Sequence, residues 1–412
     1  MQLQATKASR TADITAVRWF YVAIGTVMML CLGTLYAWSI FRTPFAQLYP
    51  AWTASNLSVN FTISMVCYCT GGYLGGKLSA RTSNVVTAVT AAVFIFIGFF
   101  GVSMLPAERS ETALMMLYLF YGVFSGLGTG LGYNAILTGV ASWFPDRGGY
   151  ATGILLTGFG LGTMLIGQLA NALIPVVGLS ALFRTFAIVL AGVLILGSRF
   201  VRPPDADVVL PAPPATAEME GQRDYLPGEM LRCPSFWIFF LWNLCMCSAG
   251  LLVVNSAANI AAYYGAAAVL GLLLSVFNGL SRIPFGMCVD QLGREKTMLL
   301  ANSLLLVCGG LLTLGGVFHS AVIILLGMIL MGVCFGNSVT IGTLVIRQFF
   351  GSGCYPVNLA ILNSCAVPAS LIGPLISSKL QEGSGGDYTS TFFMVVVFAV
   401  INFAIGFFVR KP

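Results

Sequence analysis

Twelve stretches of roughly twenty residues follow one another along the chain, almost free of charged side chains. They run approximately over 18–41, 55–77, 84–105, 112–139, 150–174, 178–198, 236–262, 266–289, 296–317, 321–346, 356–379 and 388–409. Each is close to the ~20 apolar residues that a helix needs to cross the hydrocarbon of a bilayer. Only 8% of the 412 residues are charged and 58% are hydrophobic, whereas a soluble domain carries roughly a quarter charged residues. No single core in water hides that much apolar surface, so the solvent for most of the chain is lipid. The expected fold is an all-α membrane protein with twelve transmembrane helices in two pseudo-symmetric six-helix bundles.

The breaks between the runs give the organisation. Residues 1–17 read as an N-terminal tail, 18–198 as a first bundle, 199–235 as a linker, 236–409 as a second bundle and 410–412 as a C-terminal tail. The linker holds a Pro-, Ala- and acid-rich stretch of the kind that forms a flexible tether. Residues 1–17 are polar, carry Lys7 and Arg10 and lead into a span too long for a signal-peptide apolar region, so no cleaved leader is expected. With both termini on the cytoplasmic side, fifteen Lys and Arg fall in cytoplasmic segments against four on the other side (Arg42, Arg109, Arg184 and Lys379). That asymmetry favours this orientation by the positive-inside rule. The halves also repeat: Gly76 and Gly286 close the second and eighth spans 210 residues apart, and Trp143-Phe144 and Phe349-Phe350 close the fourth and tenth 206 apart. Parallel six-helix repeats with the substrate at their interface are a known transporter plan.

Several function classes are excluded. The basic residues sit in short loops rather than in one patch, so nucleic acid is not a partner. The Cys67/Cys69 and Cys245/Cys247 pairs stand two apart on helices, on nearly opposite faces, and are not chelates. No metal and no cofactor is expected. His319, the single histidine, falls in a short loop as a solvated side chain. With no nucleophile elbow or acid–base cluster, an enzyme is not expected.

One charge stands inside a span. Arg282 lies eight residues before Asp290, about 12 Å along a helix, and a cation at that depth costs at least ~2.5–3.5 kcal/mol on insertion scales. No Asp or Glu falls within the spans to pair with it. A guanidinium without a partner, lining a wet cavity, calls for an anion, and its planar fork fits a carboxylate. Asn278 lies one turn earlier on the same helix face.

The loop Gly286-x-x-x-Asp290-x-x-Gly293-Arg294-x-Lys296 resembles the gating motif of the major facilitator superfamily. Its copy after the second span is degenerate, with Ala80 for the aspartate and Ser83 for the second glycine. Further markers narrow the resemblance to the oxalate/formate antiporter family and the related monocarboxylate porters. They are Gly33-x-x-Tyr36-x-Trp38, Trp143-Phe-Pro-Asp-Arg147 with Gly158-Phe-Gly-Leu-Gly162, Gly228 to Trp237, and Phe277-Asn278-Gly279-x-x-Arg282. The resemblance implies the major facilitator fold. It implies that Arg282 binds the substrate carboxylate, and that Tyr36 and Tyr133 line the cavity. It also implies that Asp290 caps a neighbouring helix and pairs with arginine to hold the cytoplasmic gate shut. Proton-coupled relatives carry an aspartate where Asn278 stands. The antiporter's second cation, a lysine, falls at Ala366, and two aromatic positions of the tenth span are Phe335 and Val339. The expected function is alternating-access transport of a small organic anion, a monocarboxylate, by antiport or uniport. The expected setting is a monomer in the plasma (inner) membrane. The alternatives are an exporter of hydrophobic drug-like compounds and a transporter-like sensor that binds without transport.

Overall fold

The computed structural model describes residues 2–106, 108, 110–205, 207–211, 223–254, 256–384 and 386–412, with side chains from Thr15 onward except those of Ala54, Ala268 and Pro374. The middle of the expected linker, 212–222, lies outside the described residues, as do Arg109 and the side chains of Lys7 and Arg10.

Twelve long helices carry the chain: α1 (Thr15–Leu48), α2 (Ala54–Arg81), α3 (Asn84–Val102), α4 (Ser110–Ala141), α5 (Gly148–Val177), α6 (Leu179–Phe200), α7 (Pro234–Val254), α8 (Val269–Leu292), α9 (Arg294–Val317), α10 (Ala321–Phe350), α11 (Tyr355–Gly383) and α12 (Thr389–Gly406). Every one except α2 is apolar enough by composition alone to cross a membrane. The first half of α2 alternates apolar residues with Asn56, Ser58, Asn60, Thr62 and Ser64, and Asn60 and Ser64 are buried inside the bundle. Helix is the expected answer to a lipid solvent, because each backbone donor and acceptor must be satisfied within the segment. The Thr53 hydroxyl accepts from Asn56 N to open α2, and Ser83 does the same for Val86 N at α3, both at 3.2 Å.

Helix pairing repeats with a shift of six. In the first half α2 packs on α4, α1 on α5, and α3 on α4 and α6; in the second α8 packs on α10, α7 on α11, and α9 on α10 and α12. The halves meet along two related seams, α5 against α8 and α2 against α11.

The departures from ideal helix lie on the inner faces. α1 tightens to a 3-10 turn over Gly33–Ala37, and α4 widens to a π segment over Tyr118–Ser125. The Tyr121 hydroxyl, brought inward by the wide turn, reaches the carbonyls of Thr34 and Leu35 at 3.4 and 3.3 Å, where the α1 ladder is irregular. The seventh span is shorter than the sequence suggests. α7 ends at Val254 and a separate short helix covers Ala257–Tyr263.

Arg18, one of the fifteen cations counted on the cytoplasmic side, is 4% exposed. It donates to Asp146 at 2.7 and 3.3 Å and to the Trp143 carbonyl at 3.3 Å, and stands 4.6 Å over the Phe144 ring. The Trp-Phe-Pro-Asp sequence thus folds around the start of α1.

Candidate functional site

α8 is irregular near its middle. The regular pieces Leu272–Leu280 and Arg282–Leu292 meet at Ser281. The ladder continues across it, from Ser281 N to Phe277 O at 3.0 Å and from Phe285 N to Ser281 O at 3.2 Å, but Pro284 has no N–H to complete it. Arg282 is the first residue past Ser281 and is 5% exposed. Its Nη1 donates to the Leu156 carbonyl of α5 at 2.6 Å and its Nη2 donates to Asn278 Oδ1 at 3.1 Å. Nε is buried without a partner.

Arg282 is therefore not the partnerless cation that the sequence suggests. Two neutral oxygens hold it, and among the described residues no carboxylate pairs with it. One of those oxygens is a backbone carbonyl of the other half, which no side-chain pattern reveals. The charge is fixed in place but not neutralised, and an orphaned buried donor of this kind points toward a missing partner.

Aromatic groups surround it. Phe159 of α5 lies between three tyrosines: Tyr36 of α1 at 5.6 Å between ring centres, Tyr133 of α4 at 5.1 Å and Tyr68 of α2 at 6.2 Å. Tyr133, Tyr36, Tyr68 and Cys247 are among the polar side chains near the Arg282 charge. The structure thus brings together Arg282, Asn278, Tyr36 and Tyr133, as the sequence suggests. Tyr68 and Cys247 were missed. Tyr68 left a signal, a hydroxyl midway along a span, where it needs a partner. Tyr133 also faces the seam, with Thr343 of α10 and Asn363 of α11 among its polar neighbours.

Among the described residues, none of those packed beside Ala366 is a cation. Next to Ala366, Cys365 packs with Cys247 and Ala369, flanked by Phe335. Asn243 Nδ2 donates to the Cys365 sulfur at 3.1 Å, and the Cys247 sulfur lies 3.8 Å from the Ser338 hydroxyl. Charge sits on one wall, with thiols and small apolar groups on another.

The loop motif closes one end of the α5–α8 seam. Asp290 accepts from the backbone N–H of Gly149 at Oδ1 and of Tyr150 at Oδ2, both at 2.9 Å, and so caps the start of α5. That is the anion-binding end of a helix. Gly149 and Gly286 touch through their backbones, and a Cβ on either would overlap the carbonyl of the other. Gly293 turns into α9 at φ 77°, a conformation suited to glycine. Arg294 pairs with Glu295 at 3.3 Å and lies 4.7 Å over Phe349. The arginine charge bearing on Asp290 includes that of Arg347 on α10. Lys296 is exposed.

This geometry, a proline-containing helix presenting a buried cation between two repeated bundles, accompanies a decisive match. The family model described as Major Facilitator Superfamily covers residues 19–353. The chain belongs to the major facilitator superfamily. Among characterised facilitators it is similar to the oxalate:formate antiporter of Oxalobacter formigenes, 26% identical over 403 residues that cover 95% of this chain and 91% of that one. It is also similar to YhjX, an uncharacterized MFS-type transporter of Escherichia coli (strain K12), 25% identical over 81% of each chain. Monocarboxylate transporter 12 of Rattus norvegicus is 31% identical over 134 residues, 32% of this chain and 25% of that one. The facilitator fold is shared with the proton:xylose symporter XylE bound to 6-bromo-6-deoxy-D-glucose, with TM-score 0.73, 14% identity, and 96% of this chain and 97% of that one covered.

Proposed function

We propose that this facilitator moves a small organic anion, a monocarboxylate, by alternating access, as an exchanger or a uniporter. The observation that carries the reading is Arg282, a fixed guanidinium between the two halves with a free buried Nε and no carboxylate partner among the described residues. A carboxylate supplies both the charge and the acceptor that it lacks. Tyr36, Tyr68 and Tyr133 orient the anion from the first half. The wall at Cys247, Cys365 and Ala369 takes its uncharged end, which favours one carboxylate over two. The names of the relatives agree with a carboxylate substrate. In this reading residues 18–198 and 236–409 rock as two bodies. Both termini lie in the cytoplasm, the protein works as a monomer in the inner (plasma) membrane, and no cofactor takes part.

The test is uptake into proteoliposomes of labelled formate, acetate, propionate and oxalate, wild type beside Arg282→Gln. Saturable uptake of a monocarboxylate that is abolished in the variant, with the variant still folded, is the expected result. Arg282→Lys should also be impaired, because the fork is lost. Undiminished transport by Arg282→Gln sinks the reading. Uptake or efflux of hydrophobic cations alone would favour a drug exporter, and binding without movement a sensor.

A further inference from the structure

The two seams between the halves are related by the internal repeat, yet the ends that adjoin the loop motif and its degenerate copy are fastened in opposite ways. At the α5–α8 seam the second half supplies an acceptor, the Asp290 carboxylate, to the first amides of α5. The equivalent loop after α2 has Ala80 where that carboxylate would stand. The start of α11 has no use for one. Pro356 lacks an N–H, and the neighbouring amides are satisfied within their own turn: Tyr355 N donates to Ser352 O at 3.4 Å, Val357 N to Cys354 O at 3.1 Å, and Asn358 N to Cys354 O at 3.0 Å. What α11 offers at this end is a carbonyl.

Asn134 of α4 takes it. Its Nδ2 donates to the Pro356 carbonyl at 2.6 Å across the seam and to the Gly72 carbonyl of α2 at 2.8 Å. Two carbonyls at one end of the amide fix which end is nitrogen. The side chain is 2% exposed, and its Oδ1 is buried without a partner. Beside it α2 and α11 meet closely, since a Cβ on Gly76 would stand 2.9 Å from the backbone of Pro356 and Val357. Cys69 Sγ adds a contact to the Asn363 carbonyl at 3.5 Å. The preceding residue, Tyr133, belongs to the candidate site, and a small pocket bordered by Tyr68, Tyr133, Asn134 and Asn363 joins the two.

We propose that Asn134 is the latch of the α2–α11 seam: an uncharged amide on the first half that grips a carbonyl on the second, in place of a carboxylate gripping amides. Its bond to Pro356 must break each time this end opens, so Asn134 acts on transport through the seam and not through the substrate. The Ala80 degeneracy and the Pro356 carbonyl are then two halves of one change. The inference rests on the alternating access proposed above.

The test uses hydrogen–deuterium exchange of the full chain in lipid nanodiscs, without substrate. Asn134→Ala and Asn134→Leu both lack the donor, and leucine keeps most of the volume. In both, peptides from the start of α11 and the adjoining end of α2 should exchange about 5- to 10-fold faster, the change expected from losing one neutral hydrogen bond. Peptides from the start of α5 should stay at the wild-type rate. Adding Ala80→Asp to either variant should not restore protection, because α11 presents no free first-turn amide to a carboxylate. Loosening in Asn134→Ala alone would assign the effect to packing and overturn the proposal. Equal loosening of both seams, or rescue by Ala80→Asp, would also overturn it. The readout needs no ligand, so failure to find a transported carboxylate leaves this result standing, and failure here leaves the role of Arg282 untouched.

Discussion

The guanidinium of Arg282 lies against Gly160: a Cβ at that glycine would stand 3.1 Å from Cζ and 3.3 Å from Nη1. The Gly-rich stretch of α5 is thus the surface on which the candidate anion-binding charge rests, and the close approach explains a glycine at position 160.

Gly160→Ala should displace the guanidinium, and press on the Gly279 Cα that would also stand 3.1 Å away, by a few tenths of an ångström, while better helix propensity offsets that cost, so the fold should be kept. Misplacing a positioning group costs function steeply. Uptake of the transported anion should fall about tenfold or more, mainly through a higher KM, with the melting temperature unchanged or slightly raised. Wild-type KM in Gly160→Ala would show that Arg282 does not need this seat.

Asp146→Asn removes the charged partner of buried Arg18. Breaking a buried pair from one side is strongly destabilising, and the surviving contacts to the Trp143 carbonyl and the Phe144 face put the expected loss near the low end, about 3 kcal/mol. Thermal denaturation in detergent should begin several degrees lower, and the double variant Asp146→Asn with Arg18→Met should recover part of the loss. Equal melting of Asp146→Asn and wild type would mean that the pair contributes nothing.

The sequence made much of this legible, for a physical reason. Lipid demands long apolar helices, so the spans can be read from hydropathy, and a duplication leaves matched glycines such as Gly76 and Gly286. Arg282 stands out because a charge in a span is costly. What was not legible depends on backbone atoms brought close by the fold. The Leu156 carbonyl that holds Arg282, the Pro356 carbonyl that holds Asn134 and the seat at Gly160 have no side-chain signature. Cys247 was hidden differently. It sits in a run whose apolar character already accounts for a thiol, so nothing in the local pattern asks for a second role. The pairing of Arg18 was hidden as well, because its partner Asp146 lies 128 residues away in the sequence.

The linker joins the second bundle earlier than its composition suggests. Tyr225 N donates to the Phe350 carbonyl at 3.0 Å, Asn358 Nδ2 donates to the Tyr225 carbonyl at 3.1 Å, and Asp224 Oδ1 accepts from Gly353 N at 2.9 Å. Cutting the chain near Pro213, outside the described residues, therefore spares these contacts, because 223–226 remain attached to the half on which they dock. Co-expressed pieces should transport with a loss of no more than about tenfold, the cost of a lower effective concentration. Fully assembled but inactive pieces would mean that the segment does more than tether.

The last prediction concerns coupling. Proton symport needs a membrane-embedded group that changes charge during the cycle, and Asp, Glu or His commonly fills that role. The described groups around Arg282 are phenols, an amide, a backbone carbonyl and a thiol, and the Asn278 oxygen that accepts from it does not titrate. The acidic group closest to the site along α8 is Asp290, and both of its oxygens accept from the start of α5. With one fixed positive charge in the empty site, one carboxylate neutralises it, and the loaded and empty carriers differ by that single charge. Exchange of one monoanion for another then leaves the carrier's charge the same in both crossings. In proteoliposomes with a pH gradient and no membrane potential, uptake should not become concentrative, and unlabelled counter-substrate inside should speed it severalfold. Concentrative uptake driven by the proton gradient alone would overturn the prediction and direct attention to Tyr36, Tyr68, Tyr133 or Cys247 as the group that carries the proton.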